Sequence, residues 1–222
     1  MNRRALALVS AALVLAMVIA AIIVAARVPA GARLPIHWNI NGEPDGFGGK
    51  WTALLMPPII TAVVAAILYA VPAFEPRREG LARSQSLYGA AWIAVLLIFV
   101  AVDVAAIGVA LGWAVAAPRV LMGALGAAFA IIGNSLGKSR PTYSLGVRTP
   151  WTLDDEEVWI RTHRLAGVIM TVGGSIAFVA AFLPITARSQ FLLLMGVVVV
   201  FVAVPTLYSW LLWRSRHLGS SG

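Results

Sequence analysis

Apolar residues fill six long stretches of this chain, 5–26, 53–73, 88–112, 118–136, 165–184 and 191–213. Each is close to or beyond the roughly 20 helical residues that cross a bilayer core. Polar residues gather between the stretches and at the ends. The pattern predicts an all-α integral membrane bundle of six transmembrane helices with no separate soluble domain. The first stretch follows Arg3 and Arg4, as a secretory signal would. Its 22-residue core exceeds the roughly 7–15 residues of a cleavable signal, so it reads as a membrane helix.

Composition supports this picture. The chain is 60% apolar and 12% charged, with a mean hydropathy of +0.89, whereas soluble domains carry about 25% charged residues. It contains no cysteine, which excludes disulfides, thiol catalysis and thiolate metal sites. No internal repeat supports a transporter built from inverted halves. The ending Gly219-Ser220-Ser221-Gly222 reads as an appended remnant outside the fold.

A net charge of +8 would suggest nucleic acid in a soluble protein; in a membrane protein basic residues report orientation. With the N-terminus inside, the inner segments hold Arg3, Arg4, Arg77, Arg78, Arg83, Lys138, Arg140, Arg148, Arg161, Arg164, Arg214 and Arg216, twelve residues. The outer segments hold five, Arg27, Arg33, Lys50, Arg119 and Arg188. Both termini are therefore expected in the cytoplasm, and no direct nucleic-acid contact is needed. The same orientation places His37 outside and His163 inside, so the two cannot share a metal. No HExxH pattern or Ser/His/Asp constellation is present.

Two polar loops remain. The outer one, 27–52, contains RLPIHWNINGEPDGFGGKW. Asn41-Gly42 and Asp45-Gly46 signal turns, residues 36–40 are β-prone, and Trp38 and Trp51 suit the headgroup belt. The loop reads either as a cap on the helix ends or as a recognition surface of His37, Asn39, Asp45 and Lys50. A metal on His37 and Asp45 would match no strong ligand pattern.

The inner loop, 137–164, ends in GVRTPWTLDDEEVWIRTHR. Thr152 reads as a capping-box start with Pro150 just ahead of it. The acids of 154–157 would then complement the helix dipole, and Glu157 and Arg161 have the favourable i,i+4 order. Asp155, Trp159 and His163 share one face. An amphipathic cytoplasmic helix leading into the fifth span is expected, anchored at the interface by Trp151 and Trp159.

The segments GNSLGKSRP, LGVRTPWTL and EEVWIRTHRLAG resemble the signature of the SdpI family of bacterial multi-pass membrane proteins. LPIHWNINGEPDGFGGK resembles a domain of unknown function that often precedes that signature. The matching motif residues are Asn134, Lys138, Pro141, Gly146, Arg148, Thr149, Trp151, Glu157, Trp159, Thr162 and His163; Thr142 stands where an asparagine is expected. The resemblance implies a role in the cell membrane in immunity and signalling. That role would protect against an extracellular toxic peptide and draw a cytoplasmic repressor to the membrane, with no reaction or cofactor assigned. It also suggests a division into 1–87, two membrane helices with the outer loop, and 88–218, a four-helix region with the motif loop.

Asp103, in FVAVDVAAIG, is a carboxylate well inside a span. Such a residue is costly, about 2.5–3.5 kcal/mol on insertion scales, and is expected to pair, with Arg119 the nearest cation in sequence. A structural hydrogen bond, or a proton site of a small transporter, would each account for it. An intramembrane enzyme, with a bound metal or a covalent intermediate, is the third alternative. Gly108 and Gly112, and Gly133 and Gly137, have the GxxxG spacing of close helix contacts.

Overall fold

The computed structural model describes residues 2–218; Gly219–Gly222 lie outside the described residues. Six helices are long and apolar enough to cross a membrane: α1 (Arg3–Arg27), α2 (Lys50–Phe74), α4 (Gln85–Ala110), α5 (Ala117–Leu136), α7 (Glu156–Ala180) and α8 (Ala187–Leu218). Each coincides with an apolar stretch. Between them lie a two-stranded antiparallel hairpin, β1 (Arg33–Trp38) and β2 (Pro44–Gly49), and the short helices α3 (Arg78–Arg83) and α6 (Pro150–Asp154). The all-α membrane bundle holds, with the hairpin as a small addition. One end of the bundle carries the hairpin and the connections after α4 and α7. The other carries α3, α6, the motif loop and the last turns of α8.

The bundle is apolar outward as well as inward. Leu8, Leu15, Ile67, Val199 and Leu207 are exposed, as expected when the surrounding solvent is hydrocarbon and burial alone no longer sorts apolar residues. Small residues set the closest contacts. A Cβ added at Gly133 would stand 2.5 Å from the Thr171 backbone nitrogen, and one at Gly174 2.5 Å from that of Ala130. α5 and α7 therefore touch backbone to backbone, and the spacing of Gly133 and Gly137 marks that interface. The other glycine pair does not mark a helix contact. Gly108 packs under Trp113 and Val115 of its own connection, and Gly112 turns the chain out of α4 with φ +73°.

Local chemistry also moves two expected boundaries. Asn41-Gly42 makes the hairpin turn, with Gly42 at φ +83° and the Asn39 side-chain oxygen accepting from the N–H groups of Asn41 and Glu43. Asp45-Gly46, expected to turn, lies inside β2, where His37 pairs with Gly46 at a register irregularity. A Cβ at Gly46 would come 2.9 Å from the His37 Cβ, so this glycine serves strand approach. The capping box falls at Thr149, with Thr152 as its third helical residue. That helix, α6, ends at Asp154, and Asp155 caps α7 by accepting from the N–H groups of Glu157 and Val158. The expected amphipathic helix is thus the opening turns of α7 itself. At 1.5 Å per residue, its 25 residues span about 37 Å, more than the roughly 30 Å hydrocarbon core.

Candidate functional site

At the hairpin end, β1 and β2 bring His37 and Asp45 together, with His37 Nδ1 2.5 Å from Asp45 Oδ1. Both side chains face solvent, at 71% and 44% exposure. The other two residues expected here have structural work. Asn39 closes the turn and also donates to Glu43. Lys50 donates to the carbonyls of Ala25 and Val28, both at 2.8 Å, and so satisfies the orphan acceptors at the end of α1. Of the four, the His37–Asp45 pair is the part presented outward.

At the other end the motif loop is clasped onto the segment between α2 and α4. Glu75, directly after α2, is 2% exposed. Its carboxylate accepts from the N–H groups of Arg77 at 2.9 Å, Tyr143 at 3.1 Å and Ser144 at 2.8 Å, and from the Ser144 hydroxyl. Burial by itself would raise this carboxyl. The Ser144 hydroxyl and the three N–H groups outweigh it and hold the group below the usual range. Ser84 Oγ accepts from Arg140 N at 2.9 Å, and the Arg77 guanidinium donates to Leu153 O at 3.0 Å. Thr142, buried, donates to Leu145 O and accepts from Leu145 N. Its single hydroxyl thus closes the local turn at the position where asparagine was expected.

Behind the clasp, His163 and Trp159 are fully buried and stacked, ring centroids 3.9 Å apart. His163 Nδ1 lies 2.8 Å from Trp159 O, and Nε2 accepts from Val147 N at 2.9 Å. A carbonyl on one nitrogen and an N–H on the other define the neutral, Nδ1-protonated tautomer. Trp159 Nε1 donates to Ser139 Oγ at 3.1 Å. Gly146, at φ +99°, lies against both rings. Thr152 Oγ1 donates to Val147 O at 2.8 Å, and Thr149 and Ser209 hydroxyls meet at 3.3 Å. The cap of α7 is tied to α8, since Arg216 Nε donates to Asp155 at 2.7 Å. Burial would raise the Asp155 carboxyl, but Arg216 and the Val158 and Glu157 N–H groups lower it overall.

The motif residues therefore divide. Trp159, His163 and Thr162 are buried and Trp151 half-buried, so in this conformation Trp159 and His163 offer no side chain to a partner. Glu157 pairs with Arg161 at 2.6 Å. Asn134, Lys138 and Arg148 stay on the surface, Arg148 donating to Tyr143 O. Sequence reasoning missed Glu75, Ser84, Ser139 and Ser144. The one available signal was an acid, Glu75, directly after an apolar span and just before Arg77 and Arg78.

Asp103 lies apart from both ends, 4% exposed, with Oδ1 lacking any hydrogen-bond partner. Arg119 does not pair with it; that guanidinium donates to Ile185 O at 3.2 Å. Arg119 stands at the end of the bundle beyond α4, whereas Asp103 is two turns inside α4. Among the described residues, no three His, Asp or Glu side chains gather as a metal-binding group.

Buried ties at one end, an exposed acid–base pair at the other and six membrane helices between define a multi-pass membrane protein. Residues 138–209 match the SdpI/YfhL protein family, and residues 12–62 match a domain of unknown function (DUF1648). These are the family and the domain that the quoted motifs resemble. It is also similar to the immunity protein SdpI of Bacillus subtilis (strain 168), 24% identical over 171 residues, covering 77% of this chain and 78% of the relative. No solved structure matches. The chain is a multi-pass bacterial membrane protein.

Proposed function

We propose that this chain is an SdpI-type immunity protein, protecting its cell from a secreted antimicrobial peptide by binding rather than by catalysis. The observation that carries the reading is the likeness to an immunity protein across more than three quarters of both chains. The twelve-to-five distribution of basic residues supports placing both termini and the clasp in the cytoplasm, which leaves the hairpin outside. On this reading the toxic peptide meets the exposed His37–Asp45 pair. A cytoplasmic repressor meets the surface rim of the clasp at Lys138 and Arg148, positioned by the buried Trp159 and His163. A peptide can signal across the bundle only by preferring one of two conformations, and the clasp, which joins the 1–87 region to the 88–218 region through Glu75, is the element to bias.

Toxin-exposed cells test this. His37→Ala with Asp45→Ala should lose survival while the protein stays in the membrane. Lys138→Ala with Arg148→Ala should keep survival and lose repressor recruitment. Full protection by the first pair would reduce the hairpin to a cap and overturn the proposal. Orientation is checked with an impermeant thiol reagent in intact cells, which should label Gly48→Cys and Ser189→Cys but not Lys138→Cys.

A second reading, proton-coupled transport, is favoured by one observation: the buried Asp103 with an unpartnered oxygen. It expects a proton flux in proteoliposomes that Asp103→Asn abolishes. The immunity reading expects no flux from the parent.

A further inference from the structure

We propose that the cavity between the start of α1, the end of α2, α3 and the start of α4 binds the phosphate headgroup of an anionic phospholipid. The cavity measures about 320 Å³ and its lining brings Arg3 and Arg78, 75 positions apart in sequence, to one place with Gln85. No carboxylate lines it. Among the described residues, neither arginine forms an ion pair, although Arg83, Arg140, Arg161 and Arg216 do. Arg3 is held in place: its guanidinium donates to Tyr69 O at 3.4 Å and lies 4.6 Å over the Tyr69 ring. Two arginines lining a space without a counter-charge bring to it the charged donors that suit phosphate oxygens.

Position selects a lipid over a soluble phosphoester. The cavity sits where α1 begins, α2 ends and α4 begins, the depth at which headgroups meet the ends of membrane spans. Asn2 also lines it, its side-chain oxygen capping α1 by accepting from Ala5 N. The rest of the wall is Pro72, Leu81, Ala82 and Tyr88, and the Tyr88 hydroxyl is already bonded to Leu68 O. The neighbouring Phe74, at the end of α2, is 81% exposed, consistent with acyl chains at its side. The volume equals that of roughly ten waters, enough for a headgroup and more than a single ion needs. The site joins α1 and α2 to α3 and α4, next to Glu75, but it stands without the immunity reading.

The test is lipid binding by the full chain in neutral detergent, read by native mass spectrometry with phosphatidylglycerol and phosphatidylcholine. The parent should retain phosphatidylglycerol in preference. Interfacial arginines contribute about 1 kcal/mol each, so removing one should weaken retention about fivefold and removing both roughly 25-fold. The comparison is Arg3→Gln with Arg78→Gln against Arg4→Gln with Arg214→Gln, a pair of equal charge at the same end outside the cavity. Arg3→Lys with Arg78→Lys, which keeps the charge, should lose less than the glutamine pair and guards against a folding defect. Equal loss in both glutamine pairs, or no lipid preference in the parent, overturns the site. Displacement of the lipid by free glycerol phosphate at matching concentration overturns the lipid assignment and leaves a soluble phosphoester.

Discussion

The two ends of the bundle use the same side chain in opposite ways. At the hairpin, the His37 imidazole faces solvent beside a carboxylate that is also exposed. At the clasp, the His163 imidazole has no exposure, is stacked on a tryptophan and is bonded at both nitrogens. A buried polar group with both partners made is costly to disturb, because each lost bond strands its partner away from water. An exposed polar pair contributes little to folding and is free to meet a ligand. The comparison teaches that motif density marks architecture at one end, while the sparse hairpin holds the accessible chemistry.

The comparison breaks most directly at His163. His163→Ala removes the stacked ring and orphans the Val147 N–H, combining a cavity with an unsatisfied donor. It should destabilise the protein by about 3 kcal/mol, seen as a lower unfolding temperature in detergent. An unchanged unfolding temperature would mean the ring is not a structural tie. Next comes Gly146→Ala, expected to cost about 2 kcal/mol. Its φ of +99° disfavours any side chain, and the new Cβ would stand 3.1 Å from Trp159 Cζ2. Gly31→Ala, with nothing within 4 Å of the added carbon, is the control and should be near neutral.

Glu75 sharpens the comparison through pH. Its folded pKa lies below the ordinary 4.5, so its contribution is complete above that value and is lost as pH falls through the folded one. Glu75→Gln keeps an oxygen for Arg77 and Tyr143 but turns an NH₂ group toward the Ser144 N–H. It should cost about 1–2 kcal/mol at neutral pH and flatten the decline of stability on acidification below pH 4.5. A variant as acid-sensitive as the parent would move that sensitivity to another carboxylate, with Asp155 and its Arg216 partner the next to test.

The order of these effects reflects what was legible in the sequence. Six spans could be read because a 20-residue apolar run has one structural solution in a bilayer. The motif loop could be located, but not its fold. The i,i+4 spacing of Trp159 and His163 places them on one face without saying whether that face meets water or protein. Their burial depends on Ser139, Gly146 and Val147, which reach them only through tertiary packing. Glu75 was invisible for the same reason, its partners Tyr143 and Ser144 being 68 and 69 positions away. Asp45-Gly46 carries a turn signal, but a pairing partner across the strand overrode it.

The smallest effect on folding belongs to the hairpin pair, and there the comparison is most exposed to failure. His37→Ala and Asp45→Ala remove an interaction in contact with solvent, whose contribution to stability should be on the order of 0.5 kcal/mol or less. Asn39 holds the turn and Lys50 anchors the hairpin to α1, so neither substitution should alter the fold. Protection in toxin-exposed cells should nevertheless fall, because this pair is the chemistry the hairpin presents outward. Measuring both quantities on the same variants separates the roles. A large loss of unfolding temperature would make the pair a structural tie like His163, erasing the distinction between the ends. Unchanged temperature with reduced survival would establish the exposed imidazole and carboxylate as the part of the hairpin that meets the peptide.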